Sequence, residues 1–186
     1  IFVSHNMAAI QSLCQRSIMM KGGALIFDSL TEDVIQAYTK DTFDNIDNNN
    51  LNERVDRRGN GRLRFTKFEL RNHDGNKSEY LTLGERGSII LSFESNESAI
   101  LKSVGIAIGI RGMQNENLVH LSTDLLNEQF DCLPRSGKIV CEIETISLQP
   151  GEYSINLFST VSGDIADWIQ DATRLNVQSS DFYGTG

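Results

Sequence analysis

The stretch LKSVGIAIGI, residues 101–110, decides the fold class of this chain. Its bulky positions alternate with small ones: Val104, Ile106, Ile108 and Ile110 lie in one register, and Gly105, Ala107 and Gly109 lie in the other. A period of two residues is typical of a β-strand, because successive side chains of a strand point to opposite faces of the sheet. The stretch therefore predicts a strand with one bulky face and one almost bare face.

Other alternating segments lie on both sides of this strand. The apolar alternation changes register between residues 63–65 and 68–70, and this slip predicts a bulged strand. Further strand candidates are residues 80–83, 89–93, 118–123, 138–143, 153–159 and 173–177, with turns at Asp74-Gly75 and Pro150-Gly151. About eight strands with hardly any helical pattern predict a mainly β fold, an antiparallel β-sandwich of the immunoglobulin-like or jelly-roll-like kind.

The first 40 residues follow a different pattern. Residues 1–3 are an apolar strand candidate, and apolar residues then recur at helical spacing over residues 6–16. Gly22 and Gly23 suit the tight turn of a hairpin, and a second helix is predicted over residues 31–38. The order strand, helix, hairpin, helix predicts a small α/β unit ahead of the sandwich.

The sequence between these two regions is polar. DTFDNIDNNNLNERVDRRGN, residues 41–60, contains six asparagines and few apolar side chains. Such a composition buries too little apolar surface to offset the entropy lost on ordering. We therefore predict an α/β unit at residues 1–40, a polar linker at 41–58 and the sandwich at 59–186.

Composition limits the partners of the chain. The formal charge is −8, from 17 Lys and Arg against 25 Asp and Glu, and no basic run argues for nucleic acid as a partner. No apolar stretch reaches the roughly 20 residues of a membrane-spanning helix, and no signal peptide is recognisable, so we expect a cytoplasmic protein. The three cysteines, Cys14, Cys132 and Cys141, form no CxxC pair, and we expect neither disulfides nor a bound metal.

The segment IFVSHNMAAIQSLCQRSIMMKGGALIFDSLTEDVIQAY, residues 1–38, resembles the end of an ABC-transporter ATPase domain. In that family a histidine at this strand end contacts the γ-phosphate of ATP, which implies the catalytic role of switch histidine for His5. The sequence has no GxxxxGK[ST] loop to hold phosphates and no acidic strand end to hold Mg²⁺. We therefore expect ATP and Mg²⁺ to bind only a full-length parent ATPase, and expect no enzymatic activity from this fragment.

The remainder resembles polysaccharide-export ATPases of the Wzt type. The phrases GNGRLRFTKFEL, LTLGERGSIILSF, LKSVGIAIGI and LQPGEYSINLF, and the ending DFYGTG, are similar to their C-terminal carbohydrate-binding domain. The resemblance implies a fragment of the ATP-binding subunit of an exporter of O-antigen, the lipopolysaccharide polymer, or another cell-surface polysaccharide. Its sandwich would recognise the exported glycan and couple it to ATP-driven transport. A homodimer is also implied, as is a membrane permease partner at the inner face of the cytoplasmic membrane.

Sugar binding needs flat apolar groups for pyranose rings and fixed polar groups for hydroxyls. The candidates are Tyr183, Trp168, Phe182 and His73, with Asn115, Gln114 and Asp124 as polar partners. Trp168 fits the core as well as it fits a sugar platform, whereas Tyr153 is in phase with core positions and is assigned to the core. We interpret the bare face of residues 101–110 first as crowded by a second sheet, with a glycan groove and a partner strand as alternatives.

Two other classes of function fit the same pattern. The sandwich could serve as a dimerisation or docking module without glycan affinity, or as a carbohydrate-active enzyme that uses Glu142 and Glu144. The alternation of these two glutamates with apolar residues predicts an ordinary solvated face instead. Teichoic-acid exporters have related ATPases, so a teichoic-acid-type exporter subunit is a further alternative.

Overall fold

The computed structural model describes residues 2–3, 7–44, 50–98 and 100–179. The first part contains two helices and a hairpin: α1 (Met7–Leu13), β1 (Arg16–Lys21), β2 (Ala24–Leu30) and α2 (Thr31–Asp44). Gly22 and Gly23 make the hairpin turn with φ of +58° and +84°, values that glycine adopts without strain. Phe2 and Val3 lie outside regular secondary structure, so the predicted strand does not form at these two residues.

The second part is built from ten strands and one short helix. They are β3 (Arg64–Arg71), β4 (Lys77–Ser78), β5 (Tyr80–Thr82), β6 (Gly87–Glu94), β7 (Leu101–Arg111), β8 (Asn117–Ser122), α3 (Thr123–Leu126), β9 (Phe130–Leu133), β10 (Ser136–Ile143), β11 (Gly151–Val161) and β12 (Asp164–Gln178). One sheet has the order β10-β6-β3-β4. The other has the order β5-β12-β11-β7-β8, and β9 pairs with β7 beyond the end of β8.

The two sheets share one hydrophobic core. Phe65, Phe68 and Phe93 come from the four-stranded sheet, and Ile155 and Leu157 from the six-stranded sheet, all at most 2% exposed. Strand pairs are antiparallel except for the parallel pair of β5 and β12. The predicted mainly β sandwich is therefore confirmed.

Several local predictions hold, and others need correction. The register shifts between Phe65 and Lys67, which confirms the bulge in β3. Sequence reasoning missed β4, β9 and the first half of β12. In β12 the alternation is obscured because the buried position 167 is an aspartate and because residues 170–172 bulge out of register with β11.

Residues 50–61, which we call the strap, lie along one side of the sandwich. The predicted linker thus differs from the structure at both ends: α2 extends to Asp44, and the strap is bonded to both sheets. Leu51 is fully buried, and its N–H donates to the carbonyl of Thr66 in β3. Asn60 and Gly61 donate main-chain hydrogen bonds to Ile165 and Ala166 at the edge of β12. The strap therefore satisfies polar main-chain groups on edges of both sheets.

A buried ion pair also holds the strap against the sandwich. A guanidinium nitrogen of Arg57 lies 3.2 Å from a carboxylate oxygen of Asp167, and that oxygen also accepts the N–H of Phe65 at 2.9 Å. The side chains of Arg57 and Asp167 are only 8% and 1% exposed. Burial raises the pKa of Asp167, while the amide of Phe65 and the charge of Arg57 act in the opposite direction.

Candidate functional site

The outer face of the six-stranded sheet carries the small residues of β7. Ile106 and its bulky neighbours on β7 belong to the core between the sheets, so Gly105, Ala107 and Gly109 face away from the second sheet. We call these three residues the β7 stripe. The interpretation of a stripe crowded by the second sheet is wrong, because the bulky residues of the other register occupy the space between the sheets.

Aromatic side chains lie beside the middle of the stripe. Ala107 pairs with Phe158 of β11, which in turn pairs with Trp168 of β12. The rings of Phe158 and Trp168, our aromatic pair, meet edge to face, with centroids 6.2 Å apart and planes at 81°. Both side chains are partly exposed, so the outer face contains an apolar surface that is accessible to solvent.

The space above Gly105 is filled by the chain itself. A Cβ added at Gly105 would lie 2.6 Å from Oγ1 of Thr160 and 3.2 Å from a carboxylate oxygen of Asp124. Asp124 is the second residue of α3, where its N–H donates to the side chain of Ser122, and its carboxylate accepts a hydrogen bond from Gln129 at 2.6 Å. The predicted polar residue Asp124 thus reaches the stripe at this end.

The space above Gly109 is open by comparison. A Cβ added there would meet only Asn156, at 3.5 Å from its Cβ, which is an ordinary contact. Gly109 pairs with Asn156 on one side and with the exposed His120 of β8 on the other. An amide and an imidazole therefore flank a glycine floor, and both groups can exchange hydrogen bonds with a ligand hydroxyl.

A bulge in β12 holds Asn156 in place. Three residues of β12, 170–172, lie opposite this single residue of β11, and Asp171 adopts a φ of +46°. The N–H of Asp171 donates to Oδ1 of Asn156 at 2.8 Å, and its carboxylate accepts the hydroxyl of Ser154. The side-chain oxygen of Asn156 is therefore engaged by the protein, which leaves the amide N–H groups to face the gap over Gly109.

The strap supports the same part of β12. The guanidinium of Arg54 donates to the carbonyls of Gln170, Asp171 and Ala172, at 2.9 to 3.2 Å, and caps the bulge. Arg58 lies over the ring of Trp168, with its guanidinium carbon 5.3 Å from the ring centroid, a cation–π distance. The aromatic and the polar parts of the outer face thus both rest on the strap.

The other predicted sugar-binding residues lie elsewhere. Gln114 and Asn115 are in the β7–β8 turn, which begins about 17 Å along the strand from Ala107 at about 3.4 Å per residue. His73 is in the β3–β4 turn of the other sheet, where Nδ1 is 2.9 Å from a carboxylate oxygen of Glu85. The structure therefore brings Asp124 to the stripe and Trp168 to the aromatic pair beside it, but it does not bring these three residues there. Their roles stay predictions.

Some predicted residues cannot be placed on this surface. His5, Phe182 and Tyr183 lie outside the described residues. The core assignment of Tyr153 is confirmed, since the residue is 8% exposed and its hydroxyl donates to the carbonyl of Gln149. Glu142 and its partner Glu144 are both exposed, as a solvated face requires.

Sequence reasoning missed four residues of this site: Arg58, His120, Asn156 and Phe158. Asn156 and Phe158 alternate with core positions in SINLFS, so their outward direction was readable from the sequence. Their meeting with His120 was not, because it depends on which strands pair and in which register.

A cluster of metal-ligating side chains is not found among the described residues. Within the described ranges, no group of three or more His, Cys, Asp or Glu is arranged to hold a metal ion. The sequence contains no GxxxxGK[ST] phosphate-binding loop. No helix in this part of the chain is both long and apolar enough to cross a membrane.

Comparisons with known proteins identify the class of this sandwich. The family of Wzt C-terminal domains matches residues 54–186. The chain belongs to this family. The crystal structure of the C-terminal domain of Wzt is similar in fold, with a TM-score of 0.56 and 18% identity over 70% of this chain and 84% of that one. No curated protein sequence matches.

Two other solved structures share less with this chain. A CARDB domain from Pyrococcus furiosus in complex with di-metal ions has a TM-score of 0.35 and 10% identity, over 62% of this chain and 96% of that one. The DNA glycosylase AlkC of Pseudomonas fluorescens, bound to DNA with an abasic site analog, has a TM-score of 0.38 and 14% identity, over 63% of this chain and 31% of that one. Neither likeness is close enough to bear on function.

Membership of the Wzt C-terminal domain family makes this chain part of a polysaccharide ABC exporter subunit.

Proposed function

We propose that the sandwich recognises the glycan that the exporter transports, at the outer face of its six-stranded sheet. The observation that carries this proposal is the open gap over Gly109, flanked by Asn156 and His120 and adjacent to the aromatic pair. Membership of the Wzt C-terminal domain family supports a carbohydrate polymer as the ligand.

The chemistry of the surface suits a sugar. A pyranose ring has apolar C–H groups on its faces, which pack on aromatic rings, and hydroxyls at its edge, which need donors and acceptors. Phe158 and Trp168 supply the rings, and Asn156 and His120 supply the polar groups. Gly109 lets the sugar approach the main chain, since no side chain stands between them.

The wider assignment is part of the same proposal, and family membership supports it. In this proposal the chain is the C-terminal part of an ABC ATPase whose ATP and Mg²⁺ site combines His5, as the switch histidine, with residues of the parent that are not among these 186. The subunit acts as a homodimer at the inner face of the cytoplasmic membrane, bound to the permease. Glycan occupancy of the sandwich is then coupled to ATP-driven transport.

Binding is tested by titrating the 186-residue chain with O-polysaccharide released from the lipopolysaccharide of the source organism. Trp168 is the single tryptophan, so its fluorescence reports on the outer face directly. We expect a saturable change, and no change with dextran as an unrelated polymer. Calorimetry of a Gly109→Val variant should show binding abolished, because the added side chain fills the gap without a positive φ to strain it.

A Glu142→Gln variant is the matched control. Glu142 lies on β10 of the other sheet, exposed to solvent, and its loss should leave binding unchanged. A wild-type chain that sediments as a dimer but gives no saturable signal would instead identify a dimerisation or docking module. Saturable binding of teichoic acid, without binding of O-polysaccharide, would assign the teichoic-acid class of exporter.

A further inference from the structure

Arg58 of the strap contacts the aromatic pair at Trp168. The N–H of Arg58 donates to the carbonyl of Trp168 at 2.9 Å, and the N–H of Trp168 donates to the carbonyl of Arg58 at 2.7 Å. Two reciprocal hydrogen bonds fix the two residues directly opposite each other. The position of the Arg58 side chain over the indole ring is therefore set by the main chain.

The side chain of Arg58 differs from those of the other strap arginines. The guanidinium groups of Arg54 and Arg57 are used to bind carbonyls and carboxylates of the protein. Within the described part of the chain, the guanidinium of Arg58 makes no hydrogen bond or ion pair, and its contact is the face of Trp168. The guanidinium of Arg58 is therefore placed against the indole, whereas the guanidinium groups of Arg54 and Arg57 attach the strap.

We propose that Arg58 is a positioning residue of the glycan site, which holds the indole of Trp168 in its edge-to-face position on Phe158 for stacking against the sugar. The inference rests on the proposed function, because it assigns a role in binding that glycan. It makes the strap, which the sequence alone presents as a linker, part of the binding site.

The strap remains docked when the Arg58 side chain is removed. Its attachment depends on main-chain bonds, on the buried Leu51 and on the Arg57–Asp167 pair, none of which involves that side chain. An Arg58→Ala variant should therefore fold with a melting temperature close to that of the wild type. Arg86→Ala is the matched control, since it removes the same charge from an exposed loop position.

The test measures two quantities in each variant. The first is the emission of Trp168 without ligand, which we expect to shift to longer wavelength in Arg58→Ala as the indole gains contact with water. The second is affinity for O-polysaccharide, measured by calorimetry, which we expect to fall about fivefold, the equivalent of one cation–π contact. Arg58→Lys should recover part of the wild-type emission and part of the wild-type affinity, since lysine keeps the charge but not the planar guanidinium group.

The outcomes separate this inference from the proposed function. If the wild type binds and Arg58→Ala binds equally well, or keeps the wild-type emission, Arg58 does not position the platform and only this inference fails. If the wild type itself binds no O-polysaccharide, the proposed function fails and the role of Arg58 fails with it. Equal changes in Arg86→Ala would show an effect of net charge and would also overturn the inference.

Discussion

The two edges of the six-stranded sheet are closed in different ways, and the candidate site lies between them. At the β12 edge the strap adds main-chain hydrogen bonds and brings Arg57 to the buried carboxylate of Asp167. At the opposite edge, β7 pairs with β8 along one half of its length and with β9 along the other half, and α3 connects these two strands. Leu125 and Leu126 of α3 are 69% and 68% exposed. The strand that carries Trp168 of the aromatic pair is thus anchored in the core through Asp167. Asp124, at the Gly105 end of the stripe, is held by surface contacts.

The strongest test of this contrast is an Asp167→Ala variant. Removing the carboxylate leaves Arg57 charged and buried and leaves the N–H of Phe65 without its acceptor. We expect the free energy of unfolding to fall by about 3–5 kcal/mol, the usual cost of breaking a buried ion pair from one side. Urea denaturation followed by circular dichroism measures the change.

The control is Asp164→Ala, three residues away on the same strand. Asp164 is exposed where β12 begins, and its loss should change the free energy of unfolding by no more than about 0.5 kcal/mol. If the two variants are equally stable, the β12 edge is not anchored by the pair, and the contrast between the edges is wrong.

At the β7 edge, the expected effects are smaller. In a Gly105→Ala variant the new methyl group would lie 2.6 Å from Oγ1 of Thr160, whose branched side chain has few alternative rotamers. We expect a loss of about 1–3 kcal/mol from this overpacking, measured by urea denaturation. The Gly105→Ala, Thr160→Ala double variant should recover part of the loss, and a purely additive result would exclude the contact as its cause.

A Gly109→Ala variant should be more stable than the wild type, in contrast to Gly105→Ala. The new Cβ would make only an ordinary contact with Asn156, and φ at this position is not positive. Replacing glycine restricts the unfolded chain, so we expect a gain of about 0.4–1 kcal/mol in the free energy of unfolding. A loss comparable to that of Gly105→Ala would mean that the space above Gly109 is already filled, and would remove the proposed gap.

The inner face of the sandwich was readable from the sequence, whereas most of the outer site was not. The alternation at Ile106 and Ile108 follows from burial on one face, which each strand records independently in its own residues. The site depends on Asn156, His120 and Arg58, which lie far apart in the chain and meet through strand pairing. The residues of a single strand do not show which strand it pairs with or in which register, so these contacts were not predictable from any one segment.

The strap illustrates a second limit of composition. Residues 50–61 are polar, and a polar segment is normally predicted to stay in solvent. Here the polar groups are themselves the means of docking, since the side chain of Arg54 binds main-chain carbonyls of β12 and Gly61 donates to the edge of that strand. One apolar residue, Leu51, is buried. What distinguishes this strap from a linker is the set of hydrogen-bond acceptors on the sandwich. Because those acceptors lie outside the segment, its own composition does not reveal them.

The smallest expected effect concerns the middle of the strap, where Arg54 forms a bidentate ion pair with Asp56. The hydrogen bonds from Arg54 lower the pKa of Asp56 below its ordinary value of 3.8, although burial opposes them. A carboxyl whose pKa is lowered on folding stabilises the fold above its unfolded pKa, and this contribution disappears as the pH falls through the folded value. Because Asp56 is 60% exposed, we expect only about 0.5 kcal/mol at pH 7.

An Asp56→Asn variant should therefore be slightly less stable than the wild type at pH 7 and equally stable once the pH is well below 3.8. Urea denaturation across this range, at low ionic strength, measures the difference. Because Arg54 also binds the three carbonyls of the bulge, a loss at pH 7 several times larger would mean that Asp56 holds this guanidinium on β12. The anchoring of the strap would then extend from the buried pair at Asp167 to the exposed Asp56, and the β12 edge would be more rigid than the buried contacts alone require.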